Sequence, residues 1–146
     1  IETAGRPLSE LQVAAGSAAP GLRFLKLALA PPERGDLHAR IATRLQQMMA
    51  AGFVEEVMRL RARADLHPGL PSIRAVGYRQ IWEFLDGNGD RKQAEQKALE
   101  ATRQFAKRQI TWLRSEHDLC WLNSTDADAV NLALRRIDEW MAETPC

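Results

Sequence analysis

Two short apolar runs constrain this sequence more than any other feature. Leu22 to Leu29 and Leu119 to Leu122 have the length and apolarity of buried strands, and residues 30–118 lie between them. The first run ends on Ala30-Pro31-Pro32. Nearly everything else carries helical spacing. Two isolated strands make an awkward complete fold, because a lone pair cannot cover its own faces and edges. The chain is therefore expected to be mainly α with two short strands, both donated to a sheet whose other members lie elsewhere.

The 146 residues suffice for one domain with a core. At 45% hydrophobic and 27% charged, the balance is that of a globular chain in water. No apolar run approaches the roughly 18 residues of a membrane span, and the longest, Leu22 to Pro32, is broken by Arg23 and Lys26. The opening Ile-Glu-Thr-Ala-Gly-Arg has no basic start followed by an apolar stretch, so no signal peptide is expected. A chain that starts on Ile1, not Met, is expected to be a fragment or a processed product. Cys120 and Cys146 cannot build a disulfide framework, and a reducing, cytoplasmic setting is the default. His117 and Cys120 stand three apart without a second pair, and read as a loop histidine and a buried thiol, with no metal bound.

The net charge of +1 hides an uneven distribution. Residues 1–73 carry 9 basic and 7 acidic side chains, residues 74–114 carry 9 and 5, and residues 115–146 carry 2 and 7. A basic middle beside an acidic tail suits a polyanionic partner for the middle, although a solvated face gives the same pattern.

Residues 7–13 read as a short helix beginning on Pro7, and 14–21 as a loop. Arg34 to Met49 places Leu37, Ile41, Leu45, Met48 and Met49 on one stripe. Gly52 breaks it, and 53–64 restarts with Phe53, Val57 and Leu60 on one face. His67-Pro68-Gly69 is a turn. Ser72 is the expected N-cap of a helix from Ile73 to Leu85, which Asp86-Gly87-Asn88-Gly89 ends. Asp90, with Gln93 at the capping-box position, opens a long helix to about Arg114. Asp126 opens a last helix, with Val130, Leu134, Ile137, Trp140 and Met141 expected inward.

Within the long helix one stripe is apolar: Ala94, Ala98, Ala101, Phe105 and Trp112. Another is basic: Arg103, Lys107 and Arg114, with Gln104 and Arg108 beside them. No acidic residue stands between Arg103 and Arg114. A cationic ridge with amide and hydroxyl groups between the charges suits phosphate and sugar contacts. On spacing alone a solubilising face is an equal reading. In Pro71 to Gln80, Gly77 is expected inside a helix, where it costs about 1 kcal/mol against Ala unless another group passes close. Arg74 and Tyr78 are then one turn apart, Arg79 and Gln80 add donors, and the helix start offers free N–H groups to a phosphate. Tight packing with Arg74 in an ion pair is the equal alternative. Arg40 and Arg44 share a helix face and suit either an anionic ligand or pairing with Glu33 or Asp36. Gly16 to Gly21 has the glycine spacing of a phosphate loop but is followed by Leu22-Arg23 in place of Lys-Ser/Thr, so it is not one.

Four stretches together resemble the tRNA dimethylallyltransferase (tRNA isopentenyltransferase) family. They are GRPLSEL (5–11), LHARIATRLQQMMAAGFVEEV (37–57), PSIRAVGYRQIWEFLDG (71–87) and ATRQFAKRQITWLR (101–114), in the family's order and spacing. The resemblance covers about residues 1–122, and RAVGYRQ followed at this distance by KRQITWLR is its most specific part.

The resemblance implies transfer of a dimethylallyl group from its pyrophosphate to the exocyclic amine of the adenine 3′ of the tRNA anticodon. It implies a P-loop-type α/β core with helical additions. Here 1–20 would be the end of a helical insertion, and 21–146 the mostly helical C-terminal part of the core. Strand 22–29 would be a core strand and 119–122 an edge strand. The P-loop, the catalytic base and the Mg2+ site belong to an N-terminal half that this sequence lacks. No catalytic residue is expected in it, and the chain alone is expected to be inactive. Carried over residue by residue, tRNA contacts fall on Arg74, Ala75, Val76, Gly77, Tyr78 and Arg79, and on Lys107, Arg108, Gln109, Ile110, Thr111, Trp112, Leu113 and Arg114. Arg44 is a candidate for the pyrophosphate. The implied partners are the anticodon stem-loop and dimethylallyl pyrophosphate, with no membrane and a monomer when complete. A target base must leave its stack to reach the donor, and such a base is held by contacts to flanking phosphates and by stacking. Two alternatives stay open: a stand-alone helical RNA-binding module, and a related enzyme that prenylates free adenine nucleotides.

Overall fold

The structure is a computed structural model that describes residues 22–143. Its elements run β1 (Lys26–Ala30), α1 (Arg34–Ala50), α2 (Phe53–Arg61), α3 (Tyr78–Leu85), α4 (Arg91–Ser115), β2 (Leu119–Asn123) and α5 (Ala129–Ala142). The expected helix over 7–13, the loop over 14–21 and the 1–20 insertion region lie outside the described residues. Among the described residues no helix is long and apolar enough to cross a membrane.

β1 and β2 pair in parallel, from Lys26 opposite Leu119 to Ala30 opposite Asn123. Parallel strands need a long crossover, and here α1 to α4 supply it. The first strand starts at Lys26, not at Leu22 as expected. β2 provides partners only from Leu119 onward, after Asp118 turns the chain with a φ of 58°. Leu22 and Phe24 consequently stay 58% and 61% exposed. Lys26 marks the start of the register, its ammonium 2.7 Å from the Glu116 carboxylate. Cys120, expected as a buried thiol, is half-buried on β2.

α1 lays its expected stripe inward, with Met49 buried and Leu45 and Met48 packed against the core. It runs antiparallel to α4: the start of α1 faces the end of α4, and the end of α1 faces its start. Gly52, at a φ of 93°, lets the chain turn into α2. The core gathers Met49, Phe53, Val54, Val57, Ile73, Ile81, Trp82 and Ala94. Small Ala94 and Ala98 on α4 let α3 approach closely. The long helix opens as expected: the Asp90 carboxylate accepts the Gln93 N–H at 2.8 Å, and the Gln93 side chain accepts the Asp90 N–H at 3.3 Å.

Three expectations are overturned. The helix expected from Ile73 begins only at Tyr78, and residues 71–77 are turns. Gly77, not Ser72, is the N-cap, and its φ of 96° ends the possibility of a helix running through it. Second, Phe105 and Trp112 do not join the inward stripe of α4, standing 48% and 62% exposed while Ala106 is buried instead. Continuing the first half of the stripe by four-residue steps from Ala98 gives Thr102, Ala106 and Ile110, and this is the line that turns inward. Third, the last helix starts at Ala129, three residues after Asp126. Its stripe faces outward: Val130, Leu134 and Met141 are 71%, 54% and 62% exposed.

A Cβ at position 77 would stand 3.3 Å from the Phe53 ring, on a backbone that L-residues rarely adopt. Gly77→Ala should therefore destabilise the chain by about 1–3 kcal/mol. At Gly35, within α1 and with nothing within 4 Å of a Cβ, the same change should stabilise by about 0.5–1 kcal/mol. Urea unfolding of both variants checks the opposite signs.

Candidate nucleic-acid interface

The second half of α4 passes over the carboxyl ends of the two strands. Ala106 is buried there, and Ile110 and Leu113 are half-buried. With those residues inward, helical geometry turns Lys107, Arg108, Gln109, Thr111, Trp112 and Arg114 out, and all six are exposed. No ion pair holds Lys107, Arg108 or Arg114 among the described residues. Arg108 lies 5.9 Å from the Phe105 ring centre, an arrangement that stiffens the side chain without neutralising it.

Lys107, Thr111 and Arg114 form one wall of a cleft of about 180 Å³. The opposite wall is Pro31, Pro32 and the first turns of α1, including Glu33, Arg34 and His38. Arg34 Nε lies 3.4 Å from His38 Nε2. Arg34, Lys107 and Arg114, with the His38 imidazole, thus face a space with one carboxylate on its lining, among the described residues. Arg34 and His38 do not stand out in the sequence. A signal for them is present all the same: a helix start just past the proline pair that closes a parallel strand, which is where open α/β sheets bind their ligands.

The other predicted segment is built differently. Arg74, Ala75, Val76 and Arg79 are exposed, while Gly77 is buried and Tyr78 half-buried. The Gly77 N–H is already occupied, donating to the buried Gln80 side chain at 2.7 Å. The helix start is thus less open to a phosphate than its sequence suggests. Arg74 and Tyr78 do not share a helix face, because Arg74 precedes the helix. Tyr78 packs edge-on against Phe53, with ring centres 5.1 Å apart, and its hydroxyl donates to Glu56 at 2.5 Å. Phe53 and Glu56, both on α2, therefore set the shape of this segment, and neither is marked as a site residue by the sequence.

The two segments do not meet in one cleft. Tyr78 packs on the cluster that holds Ala94, in the first turns of α4. Lys107 to Arg114 lie about 20–30 Å further along that helix at 1.5 Å per residue. Arg44 is exposed on α1 and does not line the cleft. Its neighbour Arg40 is turned to Ser124, with Nη1 donating to the hydroxyl at 3.3 Å.

A crossover of helices between parallel strands, with a basic cleft at their carboxyl ends, is an α/β architecture. Residues 1–116 match the family described as IPP transferase, and the chain belongs to that family. It is 49% identical over 141 residues to the tRNA dimethylallyltransferase of Paraburkholderia phymatum, covering 94% of this chain and 44% of that protein. It is 51% identical over 129 residues to that of Bordetella pertussis, covering 87% and 41%. Among solved structures it is similar to a full-length tRNA isopentenylpyrophosphate transferase from Bacillus halodurans, at a TM-score of 0.69 and 27% identity, over 92% of this chain and 43% of that one. The fold is also that of a Staphylococcus epidermidis protein, at a TM-score of 0.70 and 24% identity, over 97% and 44%. The chain thus spans less than half the length of the curated relatives it matches.

Tyr78 is the only tyrosine in the chain. The hydrogen bond to Glu56, then burial, then the carboxylate charge push its phenol above the ordinary value of 10.0. A raised value favours the neutral phenol in the folded state. Its contribution to stability is whole below about pH 10 and falls as pH rises through the folded-state value. Ultraviolet titration should place the native phenol above 10, and Glu56→Ala should bring it back toward that value.

Proposed function

We propose that this chain is the C-terminal part of a tRNA dimethylallyltransferase and supplies part of its grip on tRNA. In this reading the whole enzyme moves a dimethylallyl group from dimethylallyl pyrophosphate to the exocyclic amine of the adenine 3′ of the anticodon. It acts in the cytoplasm as a monomer. One observation carries the reading: Lys107, Arg108 and Arg114 project from one helix without acidic partners among the described residues, and two of them enter a cleft that Arg34 and His38 close from the other side. Cations at this density suit a phosphate backbone, where each neutralised phosphate releases condensed counterions. Arg74 and Arg79 extend the grip at the other end of the molecule, Arg79 only loosely held by Glu83 at 3.9 Å.

The cleft has the size and charge for a phosphate group, and Lys107, Arg114 and Arg34 would hold it. Arg44, off the cleft, is assigned to the pyrophosphate only through the family resemblance. Magnesium does not fit here, because Glu33 is the only carboxylate on the cleft among the described residues and the ion needs more oxygen ligands than that. The ion, the P-loop and the base are assigned to the part of the relatives that this chain does not match.

Binding of an anticodon stem-loop RNA, followed by fluorescence anisotropy, tests the reading. The Lys107→Glu/Arg108→Glu variant should weaken binding at least tenfold. It should also lower the salt dependence by about one counterion for each phosphate these side chains neutralise. Unchanged affinity and salt slope would leave these side chains as a solvated face, and would favour a free adenine nucleotide as substrate.

A further inference from the structure

Arg103 belongs to the basic stripe of α4 but to neither segment that carries the tRNA reading. Of the described arginines it alone is not exposed. Burying a guanidinium costs free energy unless a partner compensates it. Lys26, half-buried likewise, has such a partner in Glu116 at 2.7 Å. Arg61, Arg91, Arg135 and Arg136 have carboxylate partners although they are exposed. Arg103 has no hydrogen bond and no ion pair among the described residues. Its Nε is the one enclosed side-chain polar atom without a partner among them. A fold that leaves a half-buried cation unpaired forgoes stability at that position, as ligand sites do.

The place of Arg103 on the helix narrows what the missing acceptor is. α4 packs along α1. One turn before Arg103, Leu99 lines a groove of about 840 Å³ at the far end of the α1–α4 seam. One turn after it, Lys107 lines the basic cleft. Arg103 therefore lies on the line of α4 that follows α1, and Lys107 is its neighbour at i+4. Two like charges at that spacing repel unless an anion stands between them. The helix supplies no such anion: no acid follows Glu100 up to Ser115, and Glu100 itself is engaged by Gln96 at 2.6 Å.

We propose that Arg103 is a phosphate-binding residue. Its terminal nitrogens, which are not enclosed, hold one phosphate group together with Lys107, and the anion supplies the compensation that the fold withholds. The planar guanidinium matches a pair of phosphate oxygens. That phosphate is a link of an RNA backbone or a pyrophosphate group, which present the same oxygens. The inference rests on the phosphate-holding role of the cleft given under the proposed function and adds a residue to it. Exposed Lys107 and Arg108 contribute charge over a range of positions, whereas a half-buried guanidinium fixes its phosphate at one.

The test compares Arg103→Met with the parent 146-residue chain by thermal melting and by binding of two probes, an anticodon stem-loop RNA and inorganic pyrophosphate. Methionine keeps an unbranched apolar stem and removes the unpaired donor. The melting temperature should rise by about 2–5 °C, while affinity for at least one probe falls at least fivefold. Loss in the RNA arm, with a salt slope lower by about 0.7–0.9, assigns a backbone phosphate. Loss in the pyrophosphate arm alone assigns a pyrophosphate group. A fall in melting temperature would overturn the proposal, because Arg103 would then serve the fold. Unchanged affinity for both probes would overturn it as well. If Lys107→Glu/Arg108→Glu weakens RNA binding while Arg103→Met weakens neither probe, this inference fails and the RNA reading stands. If Arg103→Met weakens pyrophosphate binding and neither variant affects RNA, the RNA reading fails and this inference stands. A parent chain that binds neither probe overturns both.

Discussion

Parallel pairing of β1 with β2 is the constraint on which the rest of this structure depends. Antiparallel strands can be joined by two residues, but a parallel pair needs a crossover that returns the chain to its starting end. Here that crossover is α1 to α4, with the hydrophobic cluster inside it. The pairing also fixes which ends of the strands lie together. Ala30 and Asn123 are neighbours, and the Ser124 N–H extends the ladder to the Ala30 carbonyl at 3.0 Å. The start of α1 and the end of α4 meet at that point, and the basic cleft is the space between them.

α4 makes the two ends of the molecule answer different needs. In its first half Ala94 and Ala98 are small and buried, so α3 can lie close and bring Ile81 and Trp82 into the core. In its second half only Ala106 is buried, and the exposed positions are mostly cationic, polar or aromatic. The helix is 25 residues long, about 37 Å at 1.5 Å per residue. It therefore carries side chains from a well-packed region to the sheet without interruption, and the rigidity of the core is transmitted to Lys107 and Arg114 by one continuous hydrogen-bonded ladder.

What the sequence reveals follows from which forces are local. The α1 stripe, the Asp90–Gln93 cap, the 67–69 turn and both strands are written in spacing and capping chemistry, and each appears where expected or within a few residues. The basic ridge on α4 is legible for the same reason: a helix turns fixed spacing into a fixed face. Gly77 is not legible, because its positive φ answers the Phe53 ring, which is 24 positions away in sequence and adjacent only after α2 and α3 pack. Glu56 is hidden likewise, being an ordinary helix acid until Tyr78 reaches it. Arg34 and His38 become part of a site only when the crossover closes. For α5 the spacing is legible and its direction is not, since periodicity says that a stripe seeks burial and cannot say what lies within reach.

The exposed surfaces of α5 and of the second half of α4 differ in one further respect. On α5 and its approach the arginines are neutralised from within: Arg135 lies 3.1 Å from Asp128, and Arg136 lies 3.0 Å from Glu139. Such exposed pairs add little stability, and they use both arginines of α5, so the remaining carboxylates leave its surroundings acidic beside the exposed aliphatic stripe. On the second half of α4 no acid stands between Arg103 and Arg114, and no ion pair holds Lys107, Arg108 or Arg114 among the described residues. An apolar stripe gains by excluding water, which a packed protein layer does. A row of uncompensated cations gains by displacing counterions from a polyanion, which a protein layer of mixed charge does not offer. The acidic tail and the basic middle seen in the bare sequence thus lie on different elements, α5 with its approach and the second half of α4.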